Sequence, residues 1–214
     1  MIDVITINKN NIDGLRKTIE SVVCQTRFDQ VNMIVIDGGS DDGSVDVIKQ
    51  YQDRINYWVS EKDDGIYHAM NKGIDVATGD YCIFLNSGDY FSSNNVIERI
   101  LPELDRDIVY GDEYKDNGKT IKLSKYPSII DDNFFRKTAL PHQSTFIRTR
   151  LLKNIHYSTK WKLLGDWLWF RERIVVDKVS YKHVNFSISV YNLFGMSTVN
   201  RDLHNKEKEE YYKT

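Results

Sequence analysis

Two cysteines, Cys24 and Cys82, are all that 214 residues contain, and each sits inside an apolar pattern. So few thiols argue against a disulfide framework and predict two buried free thiols. Long apolar runs are missing as well. No stretch approaches the ~20 residues that span a bilayer, and the first residues read as a strand instead of a secretory leader, so the expected location is cytosolic. The usual glycine-rich phosphate motifs are absent: no Gly-x-Gly-x-x-Gly follows the first strand, and no P-loop occurs, which sets aside dinucleotide and P-loop functions. A net charge of -2 argues against general nucleic-acid binding. There is no internal repeat and no low-complexity linker, and the expectation is one domain over residues 1–214.

What is present is an ordinary globular composition, 41% hydrophobic and 28% charged, enough for one substantial core. The charge is unevenly placed. Residues 1–114 carry 10 Lys and Arg against 21 Asp and Glu, residues 115–182 carry 15 against 6, and the last 32 residues carry 4 against 4. An acidic half followed by a basic half fits two ligands of different character, or simply two solvated faces.

Strand and helix patterns alternate through the first half. Ile2 to Ile7 is β-branched and reads as a strand; Ile12, Leu15, Ile19 and Val22 recur at helical spacing behind a cap at Asn10 or Asn11. Val31 to Ile36 is an apolar run broken only by Asn32, as in a strand covered on both faces. A short helix from Val45, a strand over Ile55 to Val59, a helix from Ile66 to Ala77 and a strand over Tyr81 to Leu85 follow. The second half is less regular. It predicts a helix over Asn95 to Leu104, a strand over Asp107 to Glu113, a hairpin at Asn117-Gly118, a strand over Ser144 to Ile147, a helix over Leu163 to Val175 and two short strands within Lys178 to Tyr191. The tail from Arg201 is polar and expected to fray.

Polar residues gather where these strands end, the edge at which open α/β sheets bind ligands. Asp37-Gly38-Gly39-Ser40-Asp41-Asp42-Gly43-Ser44 follows the second strand and reads either as a turn with a helix cap or as a loop that meets a base or ribose. Ser60 to Gly73 places Asp63, Asp64, Asn71 and Lys72 after the third strand. Leu85-Asn86-Ser87-Gly88-Asp89 puts a carboxylate past the fourth, suited to Mg2+ or Mn2+, hard ions that take oxygen ligands and ligand phosphates.

Together with Ala69-Met70-Asn71-Lys72-Gly73 and Ala77-Thr78-Gly79-Asp80-Tyr81, these segments resemble family 2 glycosyltransferases of the GT-A fold, most closely the small bacterial enzymes of colanic-acid, capsule and O-antigen type. Beyond residue 115 the resemblance rests on Pro141-His142-Gln143-Ser144-Thr145-Phe146 and Leu164-Gly165-Asp166-Trp167. It implies an α/β, Rossmann-like, mostly parallel sheet flanked by helices, with a nucleotide-sugar half (1–114), an acceptor-side elaboration (115–200) and a polar tail (201–214). It further implies a metal-dependent, inverting hexosyl transfer from a nucleotide-diphosphate sugar, a UDP-sugar foremost, to a glycan or undecaprenyl-diphosphate-linked acceptor in surface polysaccharide synthesis. The basic second half would then meet an anionic membrane peripherally.

Carried over by residue, the resemblance implies that Thr6, Asn8, Asp37, Asp64, Asn71, Lys72 and Asn86 bind the donor. Asp89 would hold Mn2+ or Mg2+, and Asp166 would be the catalytic base, with a helix cap as its plainer role; Asp112 and Glu113 are the other carboxylates to consider. His142 and Trp167 are acceptor-side candidates. His142 reads equally as a metal ligand or a hydrogen-bonded structural histidine, and the rings of Trp161, Trp167, Trp169 and Phe170 as a sugar-stacking wall or as core. Relatives often carry aspartates where this chain has Asn86 and Gly88. Two other readings stay open: a sugar nucleotidyltransferase, although Asn8-Lys9-Asn10-Asn11 lacks the glycines that class uses, and a catalytically silent nucleotide-sugar-binding subunit.

Overall fold

A computed structural model describes residues 1–194 and 200–213. Its first half is built as the apolar runs dictate. β1 (Ile2–Asn8) is buried along its whole length and lies parallel to β2 (Val31–Asp37) on one side and β4 (Tyr81–Phe84) on the other; β2 also pairs with β3 (Tyr57–Ser60). Alternate side chains fill the two faces. Ile5, Ile7, Ile34 and Ile36 pack towards α3 (Ile66–Val76), while Val4, Met33 and Val35 pack towards α1 (Ile12–Val23) and α2 (Ser44–Gln50). Asn11 caps α1, its side chain accepting from the Gly14 amide.

The sheet then continues through the less regular half. Its order is β3-β2-β1-β4-β8-β6-β9-β5, with β5 at Tyr90–Phe91, β6 at Ile108–Asp116, β8 at Thr145–Arg148 and β9 at Tyr181–Asn192; β7 (Ile121–Ser124) pairs only with β6. β8 runs antiparallel to both β4 and β6, and β6 and β9 run parallel, so six of the nine strands point the same way. Short helices α4 (Val96–Ile100), α5 (Asp132–Lys137), α6 (Thr149–Asn154) and α7 (Gly165–Arg171) flank it, and α8 (Arg201–Lys213) closes the described chain.

Four expectations from the sequence need correction. Lys178 to Tyr191 forms one twelve-residue strand, not two; the apparent break is a register shift against β6 around Gly111, Asp112 and Glu113. The polar tail is a docked helix, because buried Glu207 accepts from the Lys162 and Leu163 amides at 2.7 and 2.9 Å. Cys24 is exposed just after α1 ends, while Cys82 is buried as expected; both are free. Most of the aromatic cluster is core: Trp167, Trp169 and Phe170 are buried, and Trp161, buried as well, edges a cavity. The Trp167 indole donates to the Phe135 and Thr138 carbonyls, so its ring offers no face to a sugar.

Candidate active site

The carboxyl ends of β1, β2 and β4 converge as the strand-end rule requires, and each supplies polar groups. Asp37, at the tip of β2, is fully buried and accepts from Asn8 Nδ2 (2.7 Å), Ser40 N (2.9 Å), Ser40 Oγ (2.6 Å) and Ser60 Oγ (2.5 Å). Burial opposes ionisation, but these bonds outweigh it and hold the carboxyl below its usual range. The same bonds clamp the glycine-containing loop onto β1. Lys9, which the sequence did not single out, donates to the Gly38 and Gly39 carbonyls across that loop.

Three buried polar atoms at these strand ends have no partner among the described residues: Thr6 Oγ1, Asn8 Oδ1 and Asn86 Oδ1. Buried polar groups are nearly always paired, so these atoms are candidates for bonds to a ligand or to water.

The segment after β3 is arranged differently from the sequence expectation. Lys72 is held between Glu61 and Asp63, 2.7 Å from each, so its charge is already matched within the chain. Asp63 is the inward carboxylate, whereas Asp64 is exposed, its backbone amide donating to His68 Nδ1. Asn71 makes a reciprocal pair with the Tyr157 backbone, donating to its carbonyl at 2.9 Å and accepting from its amide at 3.0 Å. That pairing joins α3 to the loop before α7 and uses one donor and one acceptor of the Asn71 amide.

Asp89 is buried, and its Oδ1 accepts from the Asn192 amide at 2.9 Å. Burial pushes its carboxyl up to about 7, with Glu113 adding to the rise and the Asn192 amide and His142 opposing it. A side chain at the neighbouring position 88 would be strained. Gly88 has φ +106°, a conformation that side-chain-bearing residues rarely adopt, and a Cβ there would stand 3.0 Å from Asn192 Nδ2. Among the described residues no trio of His, Cys, Asp and Glu could by itself hold a metal. Asp89 and the unpartnered Asn86 Oδ1 nevertheless supply hard oxygen donors, a fit for an ion that draws its remaining ligands from a diphosphate and water.

Asp166 and His142 form the second centre. Asp166, in the first turn of α7, accepts from the Tyr67 hydroxyl at 2.7 Å and its neighbour's amide, Trp167 N, at 2.8 Å, and its Oδ2 lies 2.9 Å from His142 Nδ1. The other imidazole nitrogen is 3.1 Å from Asn86 Nδ2, a donor from which it can accept only while the ring is neutral. Both nitrogens are therefore engaged within the chain, and neither is directed to a metal. Burial disfavours charge on each partner, but the pair prevails: Asp166 is held below the usual carboxylate range and His142 above the usual imidazole range. Burial also keeps the Tyr67 hydroxyl protonated, and thus a donor.

Accessibility separates the three candidate bases. The Asp166 side chain keeps 18% exposure, against 3% for Asp112 and 2% for Glu113. Asp112 is bonded to the Tyr126 amide and His183, and Glu113 to Tyr126 and Gln143. Tyr67 also borders a cavity of about 230 Å³ that Ile66, Trp161, Leu163 and Leu203 help to line.

Residues 3–162 match the family described as Glycosyl transferase family 2. An uncharacterized glycosyltransferase of Mycobacterium tuberculosis is 43% identical over 103 residues, 48% of this chain and 39% of the relative, so the chain spans about two fifths of that protein's length. A PGL/p-HBAD biosynthesis glycosyltransferase of Mycobacterium bovis is 25% identical over 204 residues, covering 91% of this chain and 78% of its own. Among solved structures, S. aureus TarS 1-349 in complex with UDP superposes with TM-score 0.74 at 17% identity, over 89% of this chain and 60% of that one. The mannosyltransferase PcManGT from Pyrobaculum calidifontis, in complex with GDP-Man and Mn2+, gives 0.66 at 14% identity, over 89% and 56%. These likenesses establish a GT-A-like fold.

Proposed function

Because this chain belongs to glycosyl transferase family 2, we propose that it transfers a sugar, with inversion, from a nucleotide-diphosphate donor to a glycan acceptor carried on a lipid diphosphate. The observation that carries this reading is the link through His142. In its neutral form one imidazole joins Asp166, the most accessible of the candidate bases, to Asn86 on the loop that bears Asp89, its Nδ1 donating to the carboxylate and its Nε2 accepting from the amide. The base and the diphosphate-side loop are thereby held in one bonded unit.

In this mechanism the nucleotide seats on the β1 and β2 ends, where Asn8 and Thr6 offer unpartnered oxygens and Asp37 fixes the loop. A divalent ion held by Asp89 and Asn86 Oδ1 would neutralise charge on the departing diphosphate. The acceptor enters from the Tyr67 side, and its hydroxyl oxygen attacks the anomeric carbon opposite the bond to the diphosphate. As the new C–O bond forms and the old one breaks, the hydroxyl proton passes to Asp166, and no covalent enzyme intermediate arises. His142 and Tyr67 keep the carboxylate ionised and aimed before the reaction. The setting is the cytoplasmic side of a membrane that holds the acceptor, and surface polysaccharide synthesis is the use.

Two measurements test this. Melting temperature in the presence of UDP-, GDP- and dTDP-sugars, each with Mn2+ and with chelator, identifies the donor, since a ligand that binds only the native state raises stability. NMR of the product then reads its anomeric configuration. The proposal fails if no nucleotide sugar raises the melting temperature, or if the product retains the donor's configuration.

A further inference from the structure

The β6–β7 hairpin is not used by the site described above, and its surface is unlike the rest of the sheet. Among the described residues β7 pairs with β6 alone, and none of them pairs with its other edge. Ile121 and Leu123 alternate along it at 55% and 45% exposure. Between residues 115 and 126 stand four lysines and one aspartate. Of these, Lys119, Lys122 and Lys125 are exposed, and none forms an ion pair with a described residue, whereas Lys115 approaches Glu113 at 3.4 Å. Phe194, 68% exposed, lies against the turn, where a Cβ on Gly118 would come within 3.1 Å of its ring.

The hairpin also rises from the rim of the active site. Asn192, whose amide bonds Asp89, faces Asp116 across the β6–β9 ladder, and the Leu193 amide donates to the Asp116 carbonyl at 2.9 Å. One strand separates the hairpin tip from the diphosphate-side carboxylate.

We propose that this hairpin seats the protein on an anionic phospholipid bilayer, with Lys119, Lys122 and Lys125 meeting headgroup phosphates and Ile121, Leu123 and Phe194 entering the interface. Exposed apolar side chains beside uncompensated lysines match a surface that is apolar below and negative above. The open strand edge admits a second occupant in principle, another copy of the chain. Edge-to-edge pairing of two such strands would bring their lysines together, and lysines on an edge strand oppose that pairing. Charge complementarity therefore selects the bilayer. The purpose assigned to the contact, delivery of a lipid-linked acceptor to Asp166, rests on the transfer reading above; the contact itself does not.

The test is sedimentation of the full chain with vesicles of phosphatidylglycerol and phosphatidylcholine in equal parts, and with phosphatidylcholine alone, at low and high salt. The expected result is binding to the anionic vesicles that salt reverses. Lys119→Glu/Lys122→Glu/Lys125→Glu should weaken it at least about tenfold, since each lysine near such a surface contributes roughly fivefold. Ile121→Ser/Leu123→Ser should weaken binding as well, and both variants should keep the parent's circular dichroism and donor-induced rise in melting temperature. The proposal is overturned if the parent ignores anionic vesicles, if the triple variant binds as the parent does, or if light scattering finds a dimer that Ile121→Ser/Leu123→Ser dissolves and that does not bind vesicles. Sedimentation requires no turnover, so loss of donor binding would defeat the transfer reading and leave this result standing, and the converse holds.

Discussion

Asp166 and His142 meet carboxylate to imidazole at 2.9 Å in a setting where each alone would resist its charge. If Asp166 takes the acceptor proton, Asp166→Asn should fold, bind nucleotide as the parent does, and transfer sugar at least about a hundredfold more slowly. Asparagine keeps the shape and much of the capping ability, so a mere helix cap would leave turnover nearly unchanged. Steady-state transfer rates beside nucleotide titrations decide between the two.

His142→Gln probes the positioning. Without the imidazole, burial acts on Asp166 with less opposition and its pKa rises. Because the base must be ionised, the acid limb of kcat/KM should move to higher pH, and Tyr67→Phe should move it the same way. An unchanged acid limb in both variants would remove His142 and Tyr67 from the mechanism. The same pair governs stability. His142 lies above its ordinary 6.5 and Asp166 below its ordinary 3.8, so their contribution is complete between those values. It is lost on the alkaline side as His142 loses its proton and on the acid side as Asp166 gains one. The gap in melting temperature between parent and His142→Gln should be widest at about pH 5 and narrow toward about pH 9.

Asp89 carries the opposite sign. Its carboxyl sits at about 7 instead of 3.8, so between those values the folded chain binds the extra proton, and the associated stability is lost as pH rises through 7. Asp89→Asn still accepts from the Asn192 amide and cannot ionise. Without metal it should melt higher than the parent at about pH 8 and equally at about pH 4, while losing Mn2+-dependent donor binding. Calorimetric melts across that range, and titrations with Mn2+ or chelator, provide the check.

Glu207→Ala should leave the Lys162 and Leu163 amides unsatisfied, at a cost of about 1–3 kcal/mol. Urea unfolding measures it, and Glu207→Gln should recover part of the loss. No change in either variant would mean that α8 is held without this carboxylate.

The strands that end at Asn8, Asp37 and Asn86 were legible because they are largely apolar runs, rich in β-branched residues in β1 and β2, that give way to polar sequence. Those strand-end residues proved to be the ones with clamped or unpartnered polar atoms. What the sequence missed is held by distant partners. Tyr67 meets Asp166 across 99 residues, the Asn71 pairing crosses 86, and the polar α8 docks through one buried glutamate 44 residues or more from the amides it caps. No local pattern announces such contacts. Lys72 looked like a free cation because its neutralising partners, Glu61 and Asp63, precede it on a loop and not on its own helix. Gly88 stands where relatives often carry a carboxylate, and its backbone angle of φ +106° makes any side chain there strained.

The bond from the Asn192 amide to Asp89 spans 103 residues, so Asp89 is anchored only after β9 has been made. During synthesis β1 to β4 emerge first and have the local contacts to assemble early, since domains fold from the N-terminal side as they appear. Asp89, however, lacks its amide partner until β9 has left the ribosome and zipped along β6. If Asp89 serves the diphosphate as proposed, a nascent chain halted before that strand would show the loops at the ends of β1 and β2 with Asp89 unanchored, and should hold a donor poorly.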